Sequence, residues 1–410
     1  MSKSKTVDAA PIIEPLAIAP KSDFQKESLQ KLMNSGFPTT KVEEWKYTRI
    51  DALLGKELKA SNDVDAKPEY IDNTYTLVYV NGNLSESLSK IDGLSGVEIK
   101  NLSEADPKLF SVGSDSAADA FANLNGAILT NGSYIKVCKN TAVDKPLHLL
   151  NITTEDIYSN VRFVIEVETG SEIEIIEDYR SSNTEAAFSN SVTDVHVAKN
   201  SVVRHVKNQA QNKTSFHVGA VNATQERDST YSSTVLACGS QISRNFLSTQ
   251  LNDEDASTEL KGLYAIKENQ LADNHTAINH NCARTFSDQL YKGILDDRSR
   301  GVFNGKVFIA RDAQQVDSAQ LNKNLMLSDK ARVDTKPELD VYADDVKAAH
   351  GAAIGQLNDE ELFYIQSRCI SKEAAMAMLV HGHMEEIIET VKSESVKEYL
   401  ENIYLTLFDK

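Results

Sequence analysis

The chain has 410 residues, with 43 basic against 60 acidic side chains and a formal net charge of −17. Apolar residues make up 41 % and charged residues 25 %, ordinary globular usage that argues against wholesale disorder. The acidic balance lacks the basic face that displaces counterions from phosphates, so nucleic acid is not an expected partner.

Cys138, Cys238, Cys282 and Cys369 stand far apart with no CxxC pair. That spacing argues against a disulfide scaffold or a self-contained zinc site and fits a reducing compartment. No apolar run approaches the roughly 18 residues of a membrane span. Asp8 and Glu14 break any signal-peptide core, and no Arg precedes Arg49. A cytoplasmic protein is expected.

Residues 1–20 read as a flexible lead-in, and 21–130 as a mainly helical N-terminal region. Ser22 and Gln25 have the S-x-x-Q form of a capping box, and Gly36 with Pro38 supplies the stop. Trp45, the only tryptophan, sits in Glu43-Glu44-Trp45-Lys46-Tyr47 and reads as a core or interface anchor. A second helical stretch is expected near 117–124.

From about residue 134 the period changes to two. Val161, Phe163, Ile165 and Val167 alternate with polar residues, and Ile173 and Ile175 resume after Gly170. Similar runs follow at 195–197, 202–206, 235–238, 263–266, 276–278, 291–295, 307–309 and 339–342, separated by Asn, Asp, Gly and Ser turns. A sandwich, a barrel and a solenoid could each produce this texture. A dozen or more strands exceed an ordinary sandwich, and the polar alternate positions suit a stacked coil, although no strict short repeat is visible. Residues 131–365 are therefore the β core.

The 366–410 segment returns to helical period. Met376, Leu379, Val380, His383, Met384, Ile387, Ile388 and Val391 form one apolar stripe. Val396, Tyr399, Leu400, Ile403, Tyr404 and Leu407 form another. Two amphipathic helices result, to be buried against the β core or offered to a partner.

Familiar catalytic motifs are missing. Gly301 to Lys306 is one residue short of a P-loop, and Val307 stands where a magnesium-binding hydroxyl belongs. There is no G-x-S-x-G and no H-E-x-x-H. Asp253, Asp255, Asp296, Asp297, Asp344 and Asp345 are most simply turn formers. His381 and His383 point apart on a helix, and His275 and His280 lie on opposite faces of a strand. His350 sits at the rim where the β region gives way to the C-terminal helices, able to supply one ligand of a site shared between chains.

Several ordered motifs carry a resemblance. They are Ser299-Arg300-Gly301-Val302-Phe303-Asn304-Gly305-Lys306-Val307, Gln320-Leu321-Asn322-Lys323-Asn324-Leu325, Thr335-Lys336-Pro337-Glu338-Leu339 and Ala343-Asp344-Asp345-Val346-Lys347. His350-Gly351-Ala352, Gly355-Gln356-Leu357, Glu361-Leu362-Phe363-Tyr364 and Ser367-Arg368 follow. Together they resemble the SufB/SufD family of iron–sulfur cluster assembly proteins, from about residue 120 onward. The Glu43 to Tyr47 segment and the lack of an N-terminal cysteine cluster are similar to the SufD branch.

That resemblance implies a right-handed parallel β-helix with helical N- and C-terminal regions. It implies a non-catalytic scaffold that pairs with SufB through the β-helix. The ATPase SufC would dock on the C-terminal helices, for which Leu379, Val380, Met384, Ile387, Ile388, Leu400 and Ile403 are the candidate contacts. It also implies a transient iron–sulfur cluster at the SufB–SufD seam with His350 as a ligand. A homodimeric scaffold acting without SufB is a further reading of the isolated chain. Relatives often carry cysteine where Ala348 stands, so thiolates would come from SufB, and they usually carry glycine where Cys369 stands. The alternative reading is a β-helix carbohydrate-active enzyme.

Overall fold

The computed structural model describes residues 5–16, 18–55, 65–154 and 157–408. Between Gly132 and Gln356 the chain winds into a parallel β-solenoid of about eight turns. Each coil lays one strand in a nine-stranded sheet and the next in a ten-stranded sheet. Phe188, Phe216, Ile242, Leu271, Arg300 and Arg332 stand one above the next across the first. Leu260, Gln289, Gln320 and His350 do so across the second. The mainly β reading holds, with helices at both ends.

The coil repeats in its backbone and not in its letters. Each turn from the nine-stranded to the ten-stranded sheet except the last, at 342–345, carries one residue at left-handed φ: Asn140, Gly170, Asn200, Asp228, Asp255, Arg284 and Gln315. Asn and Asp reach that region at little cost because their short polar side chains bond locally. Corner identities can therefore drift, and the period stays hidden in the sequence.

Apolar side chains such as Tyr79, Phe163, Ile165, Ile175 and Val203 fill the interior of the first coils. Later coils are more polar inside, with Gln289, Gln320, Asn322 and Asn324 buried there. This explains why the Val316–Met326 strand escapes a period-2 reading, its inward Ser318, Gln320, Asn322 and Asn324 being polar, while Val346–Gln356 escapes it because Ala and Gly stand on both of its faces.

The N-terminal region lies on the outer face of the nine-stranded sheet. The Asp23–Ser35 helix opens on the expected capping box, Gln25 N donating to Ser22 Oγ at 3.2 Å and Ser22 N to Gln25 Oε1 at 3.0 Å. It ends at Gly36, whose φ is 67°. The second expected helix is a 3₁₀ turn, Ala117–Asp119, running into Ala120–Ile128. Trp45 is buried beside Phe121 and donates Nε1–H to Ala118 O at 3.1 Å, with the Arg244 guanidinium 3.9 Å above its ring. The segment expected to be mainly helical also holds strands, beginning with the short Phe37–Pro38 paired with Thr6–Val7. Tyr75–Val80 extends the ten-stranded sheet, and Asn83–Lys90 and Val97–Lys100 close one edge of each sheet in antiparallel sense. The buried run Tyr75-Thr76-Leu77-Val78-Tyr79-Val80 is aromatic and β-branched, a strand signal among short helices.

At the other terminus Asp359–Gln366, Lys372–Ile388 and Glu394–Tyr404 are helical. Val380, Met384, Ile387, Ile388 and Leu400 are fully or almost fully buried in a layer with Ile176, Val206, Leu236, Leu263 and Ile294 of the ten-stranded sheet. These five candidate docking residues face the chain's own sheet, while Leu379 and Ile403 are half-buried. The apolar stripe is spent internally because burying each such side chain is worth about 1.5–3 kcal/mol. The Tyr404 hydroxyl adds a hydrogen bond to Asn208 Oδ1 at 2.8 Å, and Tyr399 one to Asp178 Oδ2 at 2.5 Å.

The two faces of this layer should respond differently to truncation. Leu400→Ala is expected to cost about 2–5 kcal/mol in urea unfolding, as buried large-to-small changes do. Met378→Ala, at a 53 % exposed position, should cost less than about 0.5 kcal/mol.

Candidate functional site at the open end of the coil

The two ends of the solenoid differ. At the N-terminal end antiparallel strands finish both sheets. At the C-terminal end Arg332–Val341 and Val346–Gln356 are the last strands of their sheets. They have 10 and 11 residues, and most of the second is exposed. Each carries an outward row of backbone N–H and C=O groups without a ladder partner, a template for another strand. Long, regular edges of this kind are normally blunted.

His350 lies within the last strand, not merely near it. Its register partner is Gln320, whose own partner is Gln289. Gln289 Nε2 donates to Thr276 Oγ1 of the opposite sheet at 2.7 Å, so this row points between the sheets. His350 therefore stands on the inward-facing side at the mouth of the coil, exposed because no further coil covers it. Ala348 and Ala352 share that face, being two residues away on a strand. Gln320 Oε1 and Thr335 Oγ1 are buried at this end without hydrogen-bond partners. Both residues fall inside motifs visible in the sequence, but nothing in their spacing assigns them a place beside His350.

The other candidates lie elsewhere. His275 faces outward, Nε2 at 2.9 Å from Asp273 Oδ1, in a buried group with Arg244 and Thr48 that holds Asp273 far below the usual carboxylate range. His280 faces inward between Thr285 Oγ1 at 2.7 Å and Ser287 Oγ at 2.9 Å, and burial pushes it down to about 4. His383 is likewise lowered to about 4, first by burial and then by Lys292. His381 Nε2 is 2.9 Å from Leu405 O. Cys238 lies under the C-terminal helices, where burial raises its thiol to about 11. Cys369 is exposed with φ 63°, a left-handed conformation that glycine adopts more readily. Gly301 to Lys306 runs within the Arg300–Ile309 strand and has none of the loop geometry that cradles phosphate. Among the described residues no group of three or more His, Cys, Asp or Glu is placed to hold a metal ion. No helix among them is long and apolar enough to cross a membrane.

Two family models match the chain in sequence. The SufBD core domain of the SUF system for iron–sulfur cluster assembly covers residues 150–383, and the SufBD N-terminal region covers 12–149. The chain belongs to the SufBD family. It is 30 % identical over 389 residues to the iron–sulfur cluster assembly protein SufD of Escherichia coli (strain K12), spanning 92 % of this chain and 91 % of that protein. It is also 30 % identical to a SufBD family protein of Synechocystis, over 88 % of this chain and 85 % of that one. With SufD of Bacillus subtilis the identity is 27 %, over 68 % and 65 %. The family is that of SufD-type assembly proteins, which takes the place of the carbohydrate-enzyme alternative.

The buried imidazoles set a sign for acid stability. His280 and His383 take up protons near pH 4 in the folded chain but near 6.5 when unfolded, so unfolding absorbs protons between those values. The unfolding free energy should therefore fall as pH drops from about 7 to about 4, by roughly 1.4 kcal/mol per pH unit for each such proton, and the urea midpoint should fall with it. His280→Gln should make that slope shallower. A midpoint that rises on acidification would contradict the assignment.

Proposed function

We propose that this chain is a cytoplasmic, non-catalytic scaffold subunit that pairs through the open end of its solenoid with SufB and carries the ATPase SufC on its C-terminal helices. The nascent iron–sulfur cluster is then cargo assembled at the seam between the two solenoids, with His350 as one ligand. The observation that carries this reading is the asymmetry of the ends, one closed by antiparallel strands and the other leaving two long edges with His350 on one of them. One imidazole is one ligand, and Ala348 offers no thiolate, so the remaining donors belong to the partner.

The C-terminal helices support the second half. The buried faces of the Lys372–Ile388 and Glu394–Tyr404 helices fix them to the ten-stranded sheet, so a pull on them reaches the coil. Their outer side carries Phe363, 73 % exposed, Tyr364, 60 %, and Met378, 53 %, beside the acidic first turns of the Asp359–Gln366 and Lys372–Ile388 helices. ATP-driven SufC dimerisation would act on this surface and open the seam. Of the seven candidate contacts, Leu379 and Ile403 remain open to direct touch, and the five buried ones act as the footing.

Two measurements test this. In the co-expressed SufB–SufC–SufD-type complex, His350→Ala is expected to cut iron and acid-labile sulfide per complex at least severalfold, and an unchanged yield would remove His350 from the site. Phe363→Asp with Met378→Asp should abolish SufC pull-down while leaving SufB pairing intact. Retained SufC would put its docking elsewhere.

A further inference from the structure

Inside the coil a short chain of amides ends beside His350. Gln289 Nε2 donates to Thr276 Oγ1 at 2.7 Å, and Gln320 Nε2 donates to Gln289 Oε1 at 2.7 Å. With its NH2 engaged that way, the sense of the Gln320 amide is set, and its Oε1 faces away from Gln289. That oxygen has no partner, although Gln320 is only 3 % exposed. The amide is also held from the opposite sheet. A Cβ at Gly305 would lie 2.3 Å from Gln320 Nε2, so the missing side chain there is the hollow the amide occupies. The next position in the same row, on the same inward face, is His350. Adjacent strands lie about 4.8 Å apart, within reach of a side-chain hydrogen bond.

A buried carbonyl oxygen without a donor is costly, and here a ring carrying one N–H stands one strand away. We propose that Gln320 is a positioning residue for His350. No bond joins the two side chains in the structure, and a turn of the exposed His350 ring brings the N–H of one imidazole nitrogen to Gln320 Oε1, which fixes the tautomer and turns the lone pair of the other nitrogen toward the open end of the coil. A carbonyl acceptor behind the ring is the ordinary outer partner of a metal-binding imidazole, and it fixes ring orientation as well as basicity. Thr276, Gln289 and Gln320 thereby link the opposite sheet to the one ligand this chain offers. This inference rests on the reading of His350 as a ligand of the shared site.

The test reads the tautomer directly. In the full-length chain labelled with 15N-histidine, two-bond 1H–15N correlation spectra at pH 8 should show His350 in a single tautomer, assigned by its loss in His350→Ala. In Gln320→Leu the His350 signals should move to the averaged shifts of a ring exchanging between tautomers. Averaged shifts in the wild-type chain would overturn the proposal without any variant, and so would a single tautomer that persists in Gln320→Leu. Cluster yield in the co-expressed complex separates the two claims. If His350→Ala lowers the yield and Gln320→Leu alters neither yield nor tautomer, the positioning role falls alone. If the tautomer responds as expected while His350→Ala leaves the yield unchanged, the positioning role stands and the ligand reading falls.

Discussion

A strand in a sheet leaves half of its backbone hydrogen-bonding groups for its neighbour, and in this molecule the neighbour is the next coil. Each turn of chain is satisfied by the turns before and after it, which lets the solenoid grow around its apolar interior and still tolerate Gln, Asn, Ser and His inside. The same dependence makes the two ends the places where the structure is unfinished. At one end the chain folds back antiparallel strands to close the ladder. At the other it stops with two strands whose outer groups await a partner.

That difference gives the termini distinct work. The N-terminal region closes one end and lies along the nine-stranded sheet, held by Trp45 between Phe121 and Arg244. The C-terminal helices cover the ten-stranded sheet, and two tyrosines bind them to the buried polar residues Asp178 and Asn208. Between these covers the mouth of the coil stays open, with His350 among alanines and glycines that keep bulk away from it. A side chain on an uncovered edge strand has surroundings on one side only, because no further coil covers it.

Much of this was legible in the sequence where side chains obey the period. The capping box at Ser22, the strands around Val161, Ile173, Val203 and Leu263, and the two C-terminal stripes follow from apolar spacing alone. The strands holding Gln320 and His350 did not show themselves, because the first turns Ser, Gln and Asn inward and the second carries Ala and Gly on both faces, leaving no apolar alternation to read. The motifs of a known family supplied His350 where spacing could not. The fate of the C-terminal stripes was undecided from sequence, since an amphipathic helix looks the same whether it covers its own sheet or a partner. The positions of Gln320 and Gly305 are a matter of register between distant coils, which no local pattern encodes.

The central claim is that the open end of the coil is an interface. Backbone amide hydrogen exchange across Val346–Gln356, measured for the chain alone and in complex with SufB, tests it most directly. Outward-pointing amides of that strand should exchange rapidly in the free chain and become protected at least tenfold in the complex. Equal exchange in both states, with protection appearing on some other surface, would contradict it.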